Sequence, residues 1–181
     1  MHLDSNQEEG ILIYPFFKDT LLALIKKDPD LSVAGRKKIL RCVGEAIQEF
    51  HSKSWIHLGA PAAQNIQNVS NQFAMTDVKP DNILVNWSRD GEGRKIIGDV
   101  ALGDFDIAFK SEHGEPRETP HAVGNAMWRS PEGQTGRGVT KASDVFSFGL
   151  VVSRPLPIPG PGNSMLSSVY SAYTPSGVEI S

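Results

Sequence analysis

Asp77-Val78-Lys79-Pro80-Asp81-Asn82 runs straight into the apolar triplet Ile83-Leu84-Val85. Pro80 and its polar neighbours predict a turn, and the triplet predicts a short buried strand. A second apolar triplet, Val100-Ala101-Leu102, follows downstream, and Asp90-Gly91-Glu92-Gly93 between the two predicts a hairpin turn. These glycines do not read as a phosphate loop, because a third glycine is missing and no helix follows directly. Taken alone, Asp-x-Lys-Pro is most simply a turn carrying a solvated charge. Its meaning comes from what accompanies it in order.

Three further motifs follow: Asp104-Phe105-Asp106 just after the second strand, then Ser130-Pro131-Glu132, then Asp144-Val145-Phe146-Ser147-Phe148-Gly149. Asp104 and Asp106 could suggest a carboxylate pair for glycoside hydrolysis, but nothing else in the chain supports it. The four motifs in this order resemble the C-terminal lobe of the eukaryotic protein kinase family, over roughly residues 12–151. Lys79 points to the serine/threonine branch.

The resemblance implies an α+β fold, a mostly helical lobe with a short strand pair, truncated at both ends. It implies phosphoryl transfer from ATP to a protein Ser/Thr hydroxyl, chemistry that rests on positioning and charge neutralisation. On this likeness Asp77 accepts the hydroxyl proton and Lys79 neutralises the γ-phosphate. Asn82 and Asp104 supply oxygen ligands to Mg²⁺, as a hard cation prefers. Tyr14, Pro15, Phe16 and Phe17 form the hinge on which adenine stacks. Glu132 locks the substrate-facing loop through a buried ion pair, and Asp144 braces the catalytic-loop backbone.

The flanking elements are read from periodicity. Gly10-Ile11-Leu12-Ile13-Tyr14 before Pro15 predicts a buried strand, and residues 20–27 a short helix stopped at Asp28-Pro29. Ile39, Val43, Ile47 and Phe50 recur at helical spacing within residues 32–53, predicting a long amphipathic helix. Residues 143–152 predict an apolar helix with Ser143 as its N-cap. The polar stretch 110–121 reads as a mobile loop, and Cys42 as a small buried hydrophobe. His51 and His57 read as helix-end and core polar groups, since no ligand cluster accompanies them. The tryptophans read as core or rim.

Composition bounds the rest. The 181 residues carry 39% hydrophobic and 22% charged side chains, enough for one buried core. A net charge of −3 argues against binding nucleic acid through bulk positive charge. A single cysteine fits a reducing compartment, and the N-terminal stretch lacks the layout of a signal peptide. Together these imply an intracellular chain, cytoplasmic or nuclear, with no membrane partner.

The departures from the kinase pattern shape the expectation of activity. No G-x-G-x-x-G and no lysine precede Lys18, so the phosphate-covering clamp has no counterpart in these residues. Residues 59–76 carry no charged side chain and separate His57-Leu58 from Asp77. Removing them leaves Trp-Ile-His-Leu-Asp-Val-Lys-Pro-Asp-Asn, close to an uninterrupted catalytic loop. Asp106 replaces the glycine expected after Asp-Phe, and Leu58 the arginine expected before the catalytic aspartate. Residues 153–181 hold 5 of the 12 prolines and cannot sustain a helix. The expected layout is a partial kinase domain at 11–152, interrupted at 59–76, then a disordered Pro/Ser/Gly-rich tail at 153–181. The residues at both boundaries can be encoded by codons that form splice signals, so retained introns are the favoured account of the two segments, over a genuine insertion and a genuine proline-rich tail. The isolated chain is expected to be inactive, and the rival reading is a pseudokinase-like, non-catalytic protein-binding module.

Overall fold

The computed structural model describes residues 4–6, 8–9, 11–29, 31–57, 78–105, 108–118, 122 and 124–153. Its centre is an antiparallel sheet in which β5 (Ile83–Arg89) lies between β3 (Asp19–Thr20) and β6 (Lys95–Leu102). The register sets Ile83 opposite Leu102 and Val85 opposite Val100, with a bulge between Val85 and Trp87. Both strands run well beyond the apolar triplets. The Asp90 carboxylate closes the turn by accepting from the Glu92 and Arg94 amides, while Gly93 takes φ +80. That left-handed conformation suits glycine.

Helix α1 (Leu21–Lys27) begins where the Thr20 hydroxyl accepts from the Ala23 amide at 3.2 Å. It ends at Asp28, whose amide donates to Leu24 O at 2.9 Å. Helix α2 (Val33–Ser52) starts with the Ser32 hydroxyl accepting from the Gly35 amide and runs to Lys53, as its periodicity predicts. Its buried face is Ile39, Leu40, Val43 and Ile47, which packs across β6. Leu21, Leu24, Val78, Ile83 and Val85 complete the same core, all 0% exposed. At about 25 cal/mol per Å² of apolar area removed from water, this shared core is the main favourable contribution to folding.

Two smaller ribbons flank it. β1 (Asp4–Asn6) pairs with β2 (Ile11–Ile13), and β4 (Trp55–Ile56) pairs with β7 (Phe109–Lys110). α3 (Pro131–Thr135) and α4 (Lys141–Ser153) follow, α4 packing on α2. Among the described residues no helix is long and apolar enough to cross a membrane.

Several expectations need correction. β2 is not a buried strand at Ile13, which is 47% exposed because, among the described residues, the strand pairs only with the polar β1 ribbon. Ser143 is not the N-cap of the last helix, which starts two residues earlier. The Thr140 hydroxyl accepts from the Ala142 amide, and Ser143 reaches back to accept from the Thr140 amide at 3.1 Å, as in a capping box. Part of the stretch read as a loop is hydrogen-bonded to neighbouring segments. Lys110 belongs to β7, and Arg117 and Val139 exchange backbone hydrogen bonds at 3.0 and 2.8 Å. Cys42 is half-buried, at the margin of the core-facing stripe of α2. The segments 59–76 and 154–181 lie outside the described residues.

Candidate functional site

The site is built at the end of the hairpin where β5 begins and β6 stops. Lys79 is extended and half-buried, and its carbonyl accepts from the Asn82 amide at 2.9 Å. That bond closes the 3₁₀ turn Pro80–Asn82, with Pro80 suited to its first position because it has no N–H to leave unpaired. The turn buries Asn82 to 7% exposure and passes directly into β5. On the facing strand the Gly103 amide donates to Asn82 O at 2.8 Å, extending the ladder past Leu102. Asp104 therefore follows one residue beyond a backbone bond to Asn82. Asn82 and Asp104, 22 positions apart in sequence, meet at one hairpin end.

Asp104 is exposed and has φ +64, a left-handed conformation for a residue with a Cβ. Such backbone costs about 1–3 kcal/mol and persists only where neighbours hold it. Here the Gly103 carbonyl accepts from His57 Nε2 at 3.0 Å, and the Gly103 amide is held by Asn82. Gly103, the residue before Asp104, is thus held through both its amide and its carbonyl. Phe105 adds an edge-on ring contact to His57 at 5.0 Å and lies 5.1 Å from the Phe50 ring.

His57 is 1% exposed, and burial pushes its pKa below the usual histidine value. A carbonyl only accepts, so Nε2 carries the proton and the neutral ring leaves Nδ1 bare. Nδ1 has no hydrogen-bond partner among the described residues, in keeping with an uncharged ring. The His57 backbone amide donates to Asp144 Oδ2 at 2.8 Å. Asp144, fully buried in the first turn of α4, thereby braces the backbone that leads from β4 into residues 58–77.

The sequence-derived candidates are distributed unevenly. Lys79, Asn82 and Asp104 come together at this end, whereas Asp77 lies outside the described residues. Tyr14, Pro15, Phe16 and Phe17 lie elsewhere along β5: the Phe16 carbonyl accepts from Asn86 Nδ2, and the Lys18 amide donates to Asn86 Oδ1. Tyr14 and Phe16 are 59% and 81% exposed, and Phe17 is half-buried. Glu132 is held by a hydroxyl rather than by an ion pair among the described residues, its Oε1 accepting from Ser143 Oγ at 2.6 Å. Sequence reading treated His51 and His57 as polar packing and missed their part in holding the site. Only the placement of Trp55-Ile56-His57 ahead of the catalytic-loop motif hinted at it.

An oxygen donor set of one carboxylate and one carboxamide fits a small hard cation that keeps other oxygen ligands. Among the described residues no cation pairs with Asp104, and no group of three or more His, Cys, Asp or Glu forms a metal cluster.

A short antiparallel sheet on a mostly helical base, with its polar residues gathered where the hairpin ends, defines an α+β, kinase-like fold. Residues 67–157, half of the 181, match the protein kinase domain model, and the chain belongs to the protein kinase family. It is 29% identical, over 91% of its length, to the L-type lectin-domain containing receptor kinase VIII.2 of Arabidopsis thaliana. It is 39% identical, over 40% of its length, to the L-type lectin-domain containing receptor kinase SIT2 of Oryza sativa subsp. japonica. It is 28% identical, over 80% of its length, to the serine/threonine-protein kinase PknA of Mycobacterium tuberculosis. The chain spans 22%, 10% and 28% of those three proteins respectively. The family uses ATP and Mg²⁺ and acts on proteins.

Proposed function

We propose that this chain carries the metal-holding and hydroxyl-orienting part of a serine/threonine-kinase-type site, at the Asn82–Asp104 end of the β5–β6 hairpin. The observation that carries the reading is the clamp on Gly103, which presents Asp104, in a left-handed backbone conformation, beside Asn82. Asn82 and Asp104 would hold Mg²⁺, which when bound supplies charge neutralisation for phosphoryl transfer from ATP. Lys79 brings a cation to the γ-phosphate from just before the turn. The Asp77 carboxylate accepts the proton of a Ser/Thr hydroxyl on the protein substrate. Tyr14, Pro15, Phe16 and Phe17 offer an apolar surface for the adenine ring.

In this reading the kinase segment occupies residues 11–152, with an interruption at 59–76 and a tail at 153–181. The single cysteine suits a reducing compartment, the cytoplasm or nucleus. The 181 residues contain no G-x-G-x-x-G and no lysine ahead of Lys18, so by themselves they transfer no phosphate.

Two measurements test this. Mn²⁺ binding followed by electron paramagnetic resonance in the presence of ATP should weaken about tenfold or more in Asp104→Ala and Asn82→Ala. Equal binding in wild type and both variants overturns the metal assignment. A radiolabel assay with Mg²⁺ and ATP should show no transfer to a basic protein substrate. Turnover that Asp77→Asn abolishes overturns the expectation of inactivity while supporting the role of Asp77.

A further inference from the structure

Trp87, half-buried on β5, gathers three cations. Lys18 Nζ lies 5.3 Å, Arg89 Cζ 5.7 Å and Lys95 Nζ 4.8 Å from the centroid of its ring. The face of an indole attracts a cation, but the ring has no net charge to set against three of them. Strand register adds to the cost, because Arg89 stands directly opposite Lys95 across the β5–β6 ladder. Like charges in that position destabilise a sheet. The whole chain carries 18 basic and 21 acidic residues, so a general excess of positive charge does not account for the gathering.

Four nearby carboxylates have cations of their own. Asp19 Oδ2 accepts from Trp87 Nε1 at 2.8 Å, and its Oδ1 pairs with Lys27. Asp28 pairs with Lys95 at 3.1 Å, and that lysine side chain is only 6% exposed. Asp90 and Glu92 both pair with Arg94 at the hairpin turn. Lys18 and Arg89 differ from these cations. Both are exposed, and each donates to a backbone carbonyl, Lys18 Nζ to Trp87 O at 2.7 Å and Arg89 Nη1 to Gly93 O. Among the described residues no carboxylate pairs with either. The carbonyls fix both heads in place and leave their charge uncompensated, with further N–H donors on each.

We propose that Lys18 and Arg89, held around Trp87, form a docking surface for a carboxylate-rich segment of a partner protein. An arrangement that costs local stability is expected where function requires it. Fixed cations facing acidic side chains steer such a segment and set its register. Two uncompensated cations suit a few acidic side chains of a peptide. A nucleic acid or an anionic bilayer needs a broader basic face than a chain of net charge −3 provides. At about 3.3 Å per residue, Arg89 stands about 20 Å along the strand from Asn82. A docked segment therefore sits apart from the metal-holding end, and docking is independent of whether Asn82 and Asp104 hold Mg²⁺.

Fluorescence anisotropy of a labelled hexaglutamate peptide, titrated with the full chain at low ionic strength, tests this. Binding should fall as salt rises, because the contacts are exposed charges. Lys18→Gln and Arg89→Gln should each weaken it about threefold, as loss of one exposed ion pair does, and the double variant about tenfold. Arg89→Lys keeps the charge and should keep most of the affinity. Lys53→Gln removes the same charge at the opposite end of α2 from Asp28, beside Glu49, and should leave the affinity unchanged. Should Lys18→Gln not fold, Arg89→Gln read against Arg89→Lys decides alone. No binding by the wild-type chain, an equal loss in Lys53→Gln, or no loss in the two glutamine variants overturns the proposal. Inorganic phosphate that displaces the peptide more strongly than chloride at equal ionic strength overturns it in favour of a small-anion site. Phosphatidylserine vesicles that bind through Lys18 and Arg89 more tightly than the peptide overturn it in favour of a membrane face.

Discussion

The Ser143 hydroxyl donates to Glu132 Oε1 at 2.6 Å while accepting from the Thr140 amide at 3.1 Å. One oxygen thereby ties the loop before α4 to α3. Ser143 is 0% exposed and Glu132 is half-buried, so neither group has full access to water as a substitute. The Ser130 hydroxyl completes the corner by accepting from the Gly133 amide at 3.2 Å. The Ser-Pro-Glu motif is therefore anchored by hydroxyl groups of the chain itself.

Ser143→Ala should accordingly destabilise the fold by about 2 kcal/mol, the range for a hydrogen bond to a charged group whose partner is left buried. Urea unfolding of the wild type and the variant measures this. A change below about 0.5 kcal/mol, typical of a surface site, would show that water replaces the hydroxyl.

Gly138 sits beside the Arg117–Val139 bridge with φ +96, and a Cβ there would stand 2.6 Å from Pro116 Cβ. Gly138→Ala meets both a forbidden backbone region and a collision with a rigid ring. The expected loss is about 2 kcal/mol or more. If thermal melts of the alanine variant match wild type, the bridge is not the rigid contact described above.

The buried His57 gives stability a pH dependence whose sign can be worked out. Its folded-state pKa is lowered, first by burial, against the opposing pull of Asp144 and Asp104. The unfolded chain therefore binds the proton at higher pH than the folded chain. Stability from this group is fully present above its ordinary value of 6.5 and is lost as pH falls through the window beneath it. Urea midpoints taken at about pH 7.5 and 5.5 should drop more in wild type than in His57→Gln. An equal drop in both chains would assign the effect to other groups.

His57 and Val78, the described residues that flank 58–77, are 1% and 0% exposed. His57 and Val78 are thus both fixed in the core, and closing a 20-residue loop between them costs about 2–3 kcal/mol. Deleting residues 59–76 should preserve the cooperative melt and raise its midpoint. A deletion variant that fails to fold would show that the segment contributes necessary contacts. The mature transcript bears on the same point: it should lack the codons for 59–76 if they are a retained intron.

Much of the local structure was legible from residue order. Ile39, Val43 and Ile47 recur every three or four positions, and Ser32 offers an oxygen to the first free amides, so α2 announces itself. The hairpin and the sequence motifs on it were equally readable, because turn chemistry and apolar runs act between near neighbours. Less legible were Ile13, Ser143 and Glu132. Their state depends on what packs against a ribbon, which of two hydroxyls caps a helix, and which donor reaches a carboxylate.

By itself the sequence determined the kinase-like order of motifs, the long helix and the hairpin, since each rests on interactions spanning only a few residues. Tertiary structure alone decided that Gly103 is clamped between Asn82 and His57, 21 and 46 positions away, and that Asp144 gathers His51 and His57 from 93 and 87 positions away. A hydrogen bond forms only when donor and acceptor come within about 3 Å, and no periodicity in the chain encodes that distance. Packing of α2 against both β6 and α4 brings these groups within reach. The buried, nearly water-free surroundings then make each such contact costly to break.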